Sequence, residues 1–299
     1  MLRNQNYSNK PFDFSKMLKI SSAFISAALT ISGIALVEGF NPNFVSAQAC
    51  DASLWDDKDD WGSSQGFCSG TPSTYGVSVY KMGFCLSSPF SGGAGAAADY
   101  SSCTITYQND SGTPMSFAAG TTLSLPSDGS SIPAVGDYGF AVIELGKTFT
   151  IAAEMGPFKD GTTYYSTDSW TSSGSPGKTT GSAEEFDAEM TSFDPNTSCQ
   201  ATSDAVAITG ATLTGYLIDS STALIADDTS VTNCSGVNKI VGVAALDSNV
   251  TITTATTGLT ATFTVTNNGS SVYCDNSGEG CSNVMFDSGP FNVSFTVVE

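Results

Sequence analysis

Between Tyr138 and Leu145 the chain is apolar in both alternating sets of positions. Tyr138, Phe140 and Val142 form one set, and Ala141, Ile143 and Leu145 the other. A strand covered on both faces reads this way. Gly146-Lys147 interrupts the run. Phe149, Ile151, Ala153 and Met155 then alternate with Thr148, Thr150, Ala152 and Glu154. The pattern predicts a strand, a tight turn through Gly146-Lys147 and a half-buried partner strand, together a central hairpin.

Shorter alternating runs flank it. Val77–Cys85 and Cys103–Gln108 read as strands, with Asn109-Asp110-Ser111-Gly112 as a turn. Ser87–Ala98 is a small-residue loop, and Met115–Leu125 holds one or two further short strands. Strands return at Thr212–Asp219, Lys239–Leu246, Val250–Thr254, Leu259–Thr266 and Phe291–Val298. A helix is predicted over Ser182–Phe193. Ser182 and Glu185 have capping-box spacing, Phe186, Met190 and Phe193 fall at i, i+4 and i+7, and Asp194-Pro195 ends the segment.

Gly136-Asp137-Tyr138 ahead of an alternating strand resembles the G-x-Y opening strand of transthyretin-like sandwiches on bacterial surfaces. The resemblance extends over this one strand and implies no site residues. The expected fold is mainly β: an antiparallel β-sandwich, Ig-like or transthyretin-like, in two sandwich units with one short helix. The expected organisation is a signal peptide over 1–49, an acidic segment over 50–74 and a sandwich domain over 75–158. A linker or long loop carrying the helix follows over 159–200. Residues 201–299 form a second β-rich domain or complete the first sandwich.

The first 49 residues read as an export signal. Lys16-Met17-Leu18-Lys19 is basic, Ile20–Val37 is apolar, and Ala47-Gln48-Ala49 is an A-x-A site, placing cleavage after Ala49. A secreted, cell-surface or periplasmic protein is expected, with no stable membrane insertion once the signal is removed. Ala47 and Gln48 do not fit a lipobox before Cys50. Gly39-Phe40-Asn41-Pro42 breaks the apolar helix that a pilin needs after Gly33.

Eight cysteines, Cys50, Cys68, Cys85, Cys103, Cys199, Cys234, Cys274 and Cys281, all follow the signal. An even number in an exported chain predicts disulfides. Pairing of neighbours is expected: Cys50–Cys68, Cys85–Cys103, Cys199–Cys234 and Cys274–Cys281. Zinc fits poorly, because there is no C-x-x-C and no His.

Charge narrows the partners. The chain has 10 basic and 29 acidic residues, a net charge of −19, and only six lysines and no Arg follow residue 49. Nucleic acid is excluded as a partner, since phosphate contacts need clustered Lys or Arg. A glycan or protein partner at the surface, or self-assembly, suits the composition better.

Candidate chemistry is sparse. Gly146–Thr148 and Gly177–Thr179 lack the upstream Gly of a phosphate loop, and Gly62–Gly66 matches a nucleophile elbow without any His to serve it. No catalytic residue is assigned. Glu144, Glu154, Glu184, Glu185 and Glu189 are the carboxylates from which a glycosidase pair would be drawn. Glu144 has apolar neighbours, and a strand end facing solvent is its expected place. Asp56, Asp57, Asp59 and Asp60 are acids that calcium could use, and calcium is the one cofactor considered. Trp55, Trp61 and Trp170 are the loop aromatics that could stack on a sugar. The expected function is a non-enzymatic exported β-sandwich protein in adhesion or structure. The alternatives are a carbohydrate-binding module using these aromatics, with calcium, and a glycoside hydrolase with an Asp/Glu pair.

Overall fold

The structure is a computed structural model. It describes residues 35–37, 66–118, 123–124, 131–157, 161–171, 174–193, 198–203, 205–208, 211–267, 269–275, 283–289 and 291–298. In chain order the strands are β1 (Ala35–Val37), β2 (Gly66–Gly70), β3 (Thr74–Cys85), β4 (Cys103–Ala118), β5 (Leu123–Ser124), β6 (Gly136–Ala152), β7 (Glu154–Met155) and β8 (Tyr164–Tyr165). They continue with β9 (Ser175–Pro176), β10 (Phe186–Glu189), β11 (Val206–Ile208), β12 (Ala211–Ile218), β13 (Lys239–Ile252), β14 (Gly258–Thr264), β15 (Ser270–Asp275), β16 (Asn283–Ser288) and β17 (Asn292–Val298). The described residues contain one short 3-10 turn, Tyr100–Ser102, and no α-helix.

The fold is mainly β and antiparallel. A seven-stranded sheet runs β11-β12-β13-β6-β3-β4, with β10 also paired to β6. Two four-stranded sheets run β1-β17-β14-β5 and β2-β15-β16-β9, and β7 pairs with β8. The inner face of the large sheet supplies Tyr75, Leu145 and Ile151 to the main core. Phe263, Val272, Phe286 and Phe291 join them from the smaller sheets or the residue leading into β17. Tyr75 meets Phe291 edge-on at 6.0 Å, and its hydroxyl donates to the Gly289 carbonyl at 3.2 Å. Burial of the ring pushes that phenol far up from its ordinary pKa.

The outer face of the large sheet is covered as well, as the apolar run from Tyr138 to Leu145 predicts. Val142, Ile218, Val241 and Val243 form a second buried cluster there, flanked by Phe90, Tyr100, Phe140 and Tyr216. The cover is the small-residue loop after β3. The Cys85–Cys103 disulfide closes it, Phe90 stacks on Tyr216 at 4.2 Å, and Gly95 and Ala98 donate to the carbonyls of Leu224 and Thr222.

Three expectations are corrected. First, Tyr138–Met155 is not a hairpin: most of it lies in β6, one 17-residue strand from Gly136 to Ala152. Gly146-Lys147 is an irregularity inside it. Leu145 pairs with Val79 and Phe149 with Val77, so three β6 residues face one residue of β3. At this point β6 changes neighbour, from β13 (Lys239 opposite Gly146) to β10 (Glu189 opposite Thr148). The break in alternation is therefore a bulge that re-aims the strand. A second shift, between Ala245 and Val250 on β13, puts Tyr138 in the main core while Phe140 faces the outer cluster.

Second, Ser182–Phe193 is not a helix. Phe186 and Ala188 are buried while Asp187 and Glu189 are exposed, and the four residues pair with β6 from Ile151 to Thr148. Phe186 and Met190 satisfy a period of two as well as a helical stripe. The open edge of β6 supplied backbone partners, and tertiary pairing outweighed local propensity.

Third, Asn109–Gly112 does not end a strand. The turn exists, with Asn109 Oδ1 accepting from Ser111 N at 3.0 Å and Gly112 at φ +75°, but it is an excursion within β4.

Candidate functional site

The most unusual chemistry lies on the outer face of the large sheet. Glu144 is in mid-strand with its side chain only 3% exposed. Lys239 Nζ donates to its Oε1 at 2.6 Å, Lys81 Nζ lies 3.3 Å from Oε2, and the Tyr100 hydroxyl faces Oε2 at 3.5 Å. Register explains the convergence. Lys81 is directly opposite Glu144 across β3–β6, and Lys239 is one diagonal step away across β6–β13. A bulge between Val79 and Lys81 offsets this stretch of β3. Each ammonium also lies over an aromatic face: Lys81 over Tyr100 at 4.2 Å and Lys239 over Tyr80 at 4.1 Å. Burial first, and the Glu144 charge second, push the Tyr100 hydroxyl well above its ordinary range.

Two of the six lysines after residue 49 are thus committed to one carboxylate. The contrast with the expected solvent-facing strand end is physical. A buried carboxylate needs its charge matched, and lysines on both neighbouring strands match it. Their apolar stems and aromatic partners complete the packing.

The other candidate carboxylates are dispersed. Glu189 pairs with Lys147 at 3.2 Å on the bulge of β6, Glu184 pairs with Lys178, and Glu154 and Glu185 are exposed. Trp170 is half-buried, its ring stacked parallel on Phe186 at 5.8 Å against the main core. Trp55, Trp61, Asp56, Asp57, Asp59 and Asp60 lie outside the described residues. Among the described residues no cluster of three metal-ligating side chains occurs.

Two disulfides are formed, Cys85–Cys103 and Cys199–Cys234, and Cys68 is disulfide-bonded as well. Cys50 and Cys281, with the pairings expected through them, lie outside the described residues. Disulfides persist in oxidising compartments. No helix among the described residues is long and apolar enough to cross a membrane.

An open cleft of about 510 Å³ lies beside Cys199, lined in part by Gly95, Asp219, Asp227, Asp228 and Val231. Its carboxylates accept from backbone N–H groups, Asp219 and Asp228 within their own turns and Asp227 across the fold. Asp219 accepts from Ser221 N and Ala223 N, Asp228 from Ser230 N, and Asp227 from Ala201 N, at 2.7–2.9 Å. Hydrogen bonds from the Ser221 and Ser230 side chains hold Asp219 and Asp228 below the usual carboxylate range. Sequence reasoning missed this cleft, which assembles from the loop after β3 and the segment after β12.

The sheet β2-β15-β16-β9 was also not legible. It places Asp287 in β16, where burial pushes the carboxyl up to about 6 despite hydrogen bonds from Ser288. No protein-family model, no curated protein and no solved structure matches the chain.

Proposed function

We propose that the chain is an exported, non-enzymatic β-sandwich protein of the cell surface or extracellular space, with a structural or adhesive role. The observation that carries this reading is how its reactive groups are used. The buried carboxylate Glu144 is matched by two lysines, the cleft aspartates accept from backbone N–H groups, and cysteines staple loops. Groups engaged this way hold strands in place, and a stapled, doubly covered sheet suits exposure outside the cell. The six-lysine, acid-rich composition after residue 49 suits solubility there and gives phosphate-bearing partners nothing to hold.

The test is made on intact cells of the source. Surface protease digestion should remove the protein, and alkylation before reduction should leave Cys85, Cys103, Cys199 and Cys234 unmodified. A protease-resistant internal pool with these four cysteines alkylated contradicts the reading. Release of reducing ends from a polysaccharide panel, lost in Glu→Gln variants of Glu154 or Glu185, contradicts its non-enzymatic part.

A further inference from the structure

β17 lies between β14 and the three-residue β1, and its composition is unusual for a strand so thinly covered on one side. Phe291–Val298 reads FNVSFTVV, with no charge, no Gly and no Pro. Strand edges that must stay single are normally blunted by charge, proline or a bulge. β17 pairs with β14 in unbroken register, from Gly258 opposite Val298 to Thr264 opposite Asn292. Its other side is covered over three residues by β1, with Ala35, Leu36 and Val37 opposite Phe295, Ser294 and Val293. β1 lies within the apolar run that the sequence marks for removal with cleavage after Ala49. The leader therefore occupies an edge that the exported chain would leave open.

We propose that the β17 edge is an assembly surface, that its occupant in the exported protein is the β17 edge of a second copy, and that β1 is a placeholder before processing. This rests on the reading of the chain as exported. The second copy fits on two counts. A two-fold axis pairs identical strands antiparallel, which is the polarity in which β1 is seated. The stretch itself carries no charged residue, so pairing it with its own copy sets no like charges opposite one another along the strand. Main-chain hydrogen bonds supply the contact, as in other strand additions. The product is a closed dimer with the sheet continuous through both copies.

The experiment takes the chain as its host exports it. Mass spectrometry reads the N-terminus, and light scattering over a concentration series reads the mass in solution. Expected is a chain beginning at Cys50 that runs at twice its own mass. Ser294→Lys should weaken dimerisation at least tenfold with an unchanged circular dichroism spectrum. Ser294→Cys should cross-link the dimer under oxidation, because the same position on both copies lies near the axis. A monomer at every concentration, a dimer that Ser294→Lys leaves intact, or association only with a different protein overturns the proposal. If the N-terminus shows the leader retained, the cleavage reading fails separately. The full chain with Leu36→Pro, which unseats β1, must then dimerise, and its remaining monomeric overturns the proposal.

Discussion

Two strand flanks in this molecule, the outer edge of β4 and the β1-covered side of β17, are built by opposite rules. The outer edge of β4 is obstructed. It carries Asp110 and Pro114, it is interrupted by the Asn109–Gly112 excursion, and Ser131 N caps the Thr106 carbonyl at 2.7 Å. The edge of β17 has no charge, no proline and no irregularity along its pairing with β14. The difference extends inward. The strands next to β4 are held in register by bulges, the Cys85–Cys103 disulfide and the Glu144 cluster. Among the described residues, the β14–β17 pairing carries no bulge and neither of the two disulfides Cys85–Cys103 and Cys199–Cys234, and strands without such locks exchange partners more readily. One edge is finished, and the other is covered over three residues by β1 alone.

The largest expected effect breaks the register lock. Glu144→Ala leaves Lys81 and Lys239 facing each other without their shared counter-charge, and should cost about 3–5 kcal/mol in chemical denaturation. Replacing all three together by Met or Leu should recover most of that loss, because the charges lock register more than they stabilise. If the single change costs under about 1 kcal/mol, the cluster is not the lock.

Next comes the disulfide that closes the loop over the outer face. The Cys85→Ala, Cys103→Ala double variant opens a loop of sequence separation 18 and should lose about 3 kcal/mol. Phe90 and Tyr216 should become more exposed in the same variant, read by tyrosine fluorescence quenching. Unchanged quenching would separate the cover from the staple.

Gly112→Ala probes how tightly the β4 edge is obstructed. Gly112 has φ +75°, and an added Cβ would lie 2.8 Å from the Tyr80 ring. A loss of about 1 kcal/mol is expected from the left-handed backbone alone. A neutral result would mean that the excursion is loosely held.

The last test, read as a change with pH rather than as a fixed loss, serves as a control away from both edges. Asp287 titrates at about 6 in the folded chain against an ordinary 3.8. A raised carboxyl favours folding below 3.8, and its contribution is lost as pH rises through 6. Asp287→Asn should therefore be more stable than the parent at pH 7, with the advantage shrinking between pH 6 and 4. The difference between the two denaturation curves isolates this group from the other carboxylates. An advantage independent of pH would contradict the raised titration.

How much of this was legible follows from particular residues. The double covering of β6 was visible because Phe140 and Val142 on one face and Ala141 and Leu145 on the other are all apolar. The bulge at Gly146 was visible as a break in alternation. A turn and a bulge interrupt the period alike, and only the partner strands distinguish them. β10 was hidden because Phe186 and Met190 satisfy two periods, and the deciding fact was the free edge of β6. The role of Glu144 was hidden because Lys81 and Lys239 come from strands 63 and 95 residues away in sequence. The obstruction of β4 was half visible, in Asp110 and Pro114. The uncharged β17 was visible outright, but not that β1 would be seated on it.

Amide hydrogen exchange of the exported chain, followed by mass spectrometry at two protein concentrations well apart, compares the two edges most directly. β17 amides should be protected at high concentration and exchange faster on dilution, while β6 and the β4 edge show the same protection at both. Concentration-independent protection across Asn292–Val298 would contradict assembly through that edge.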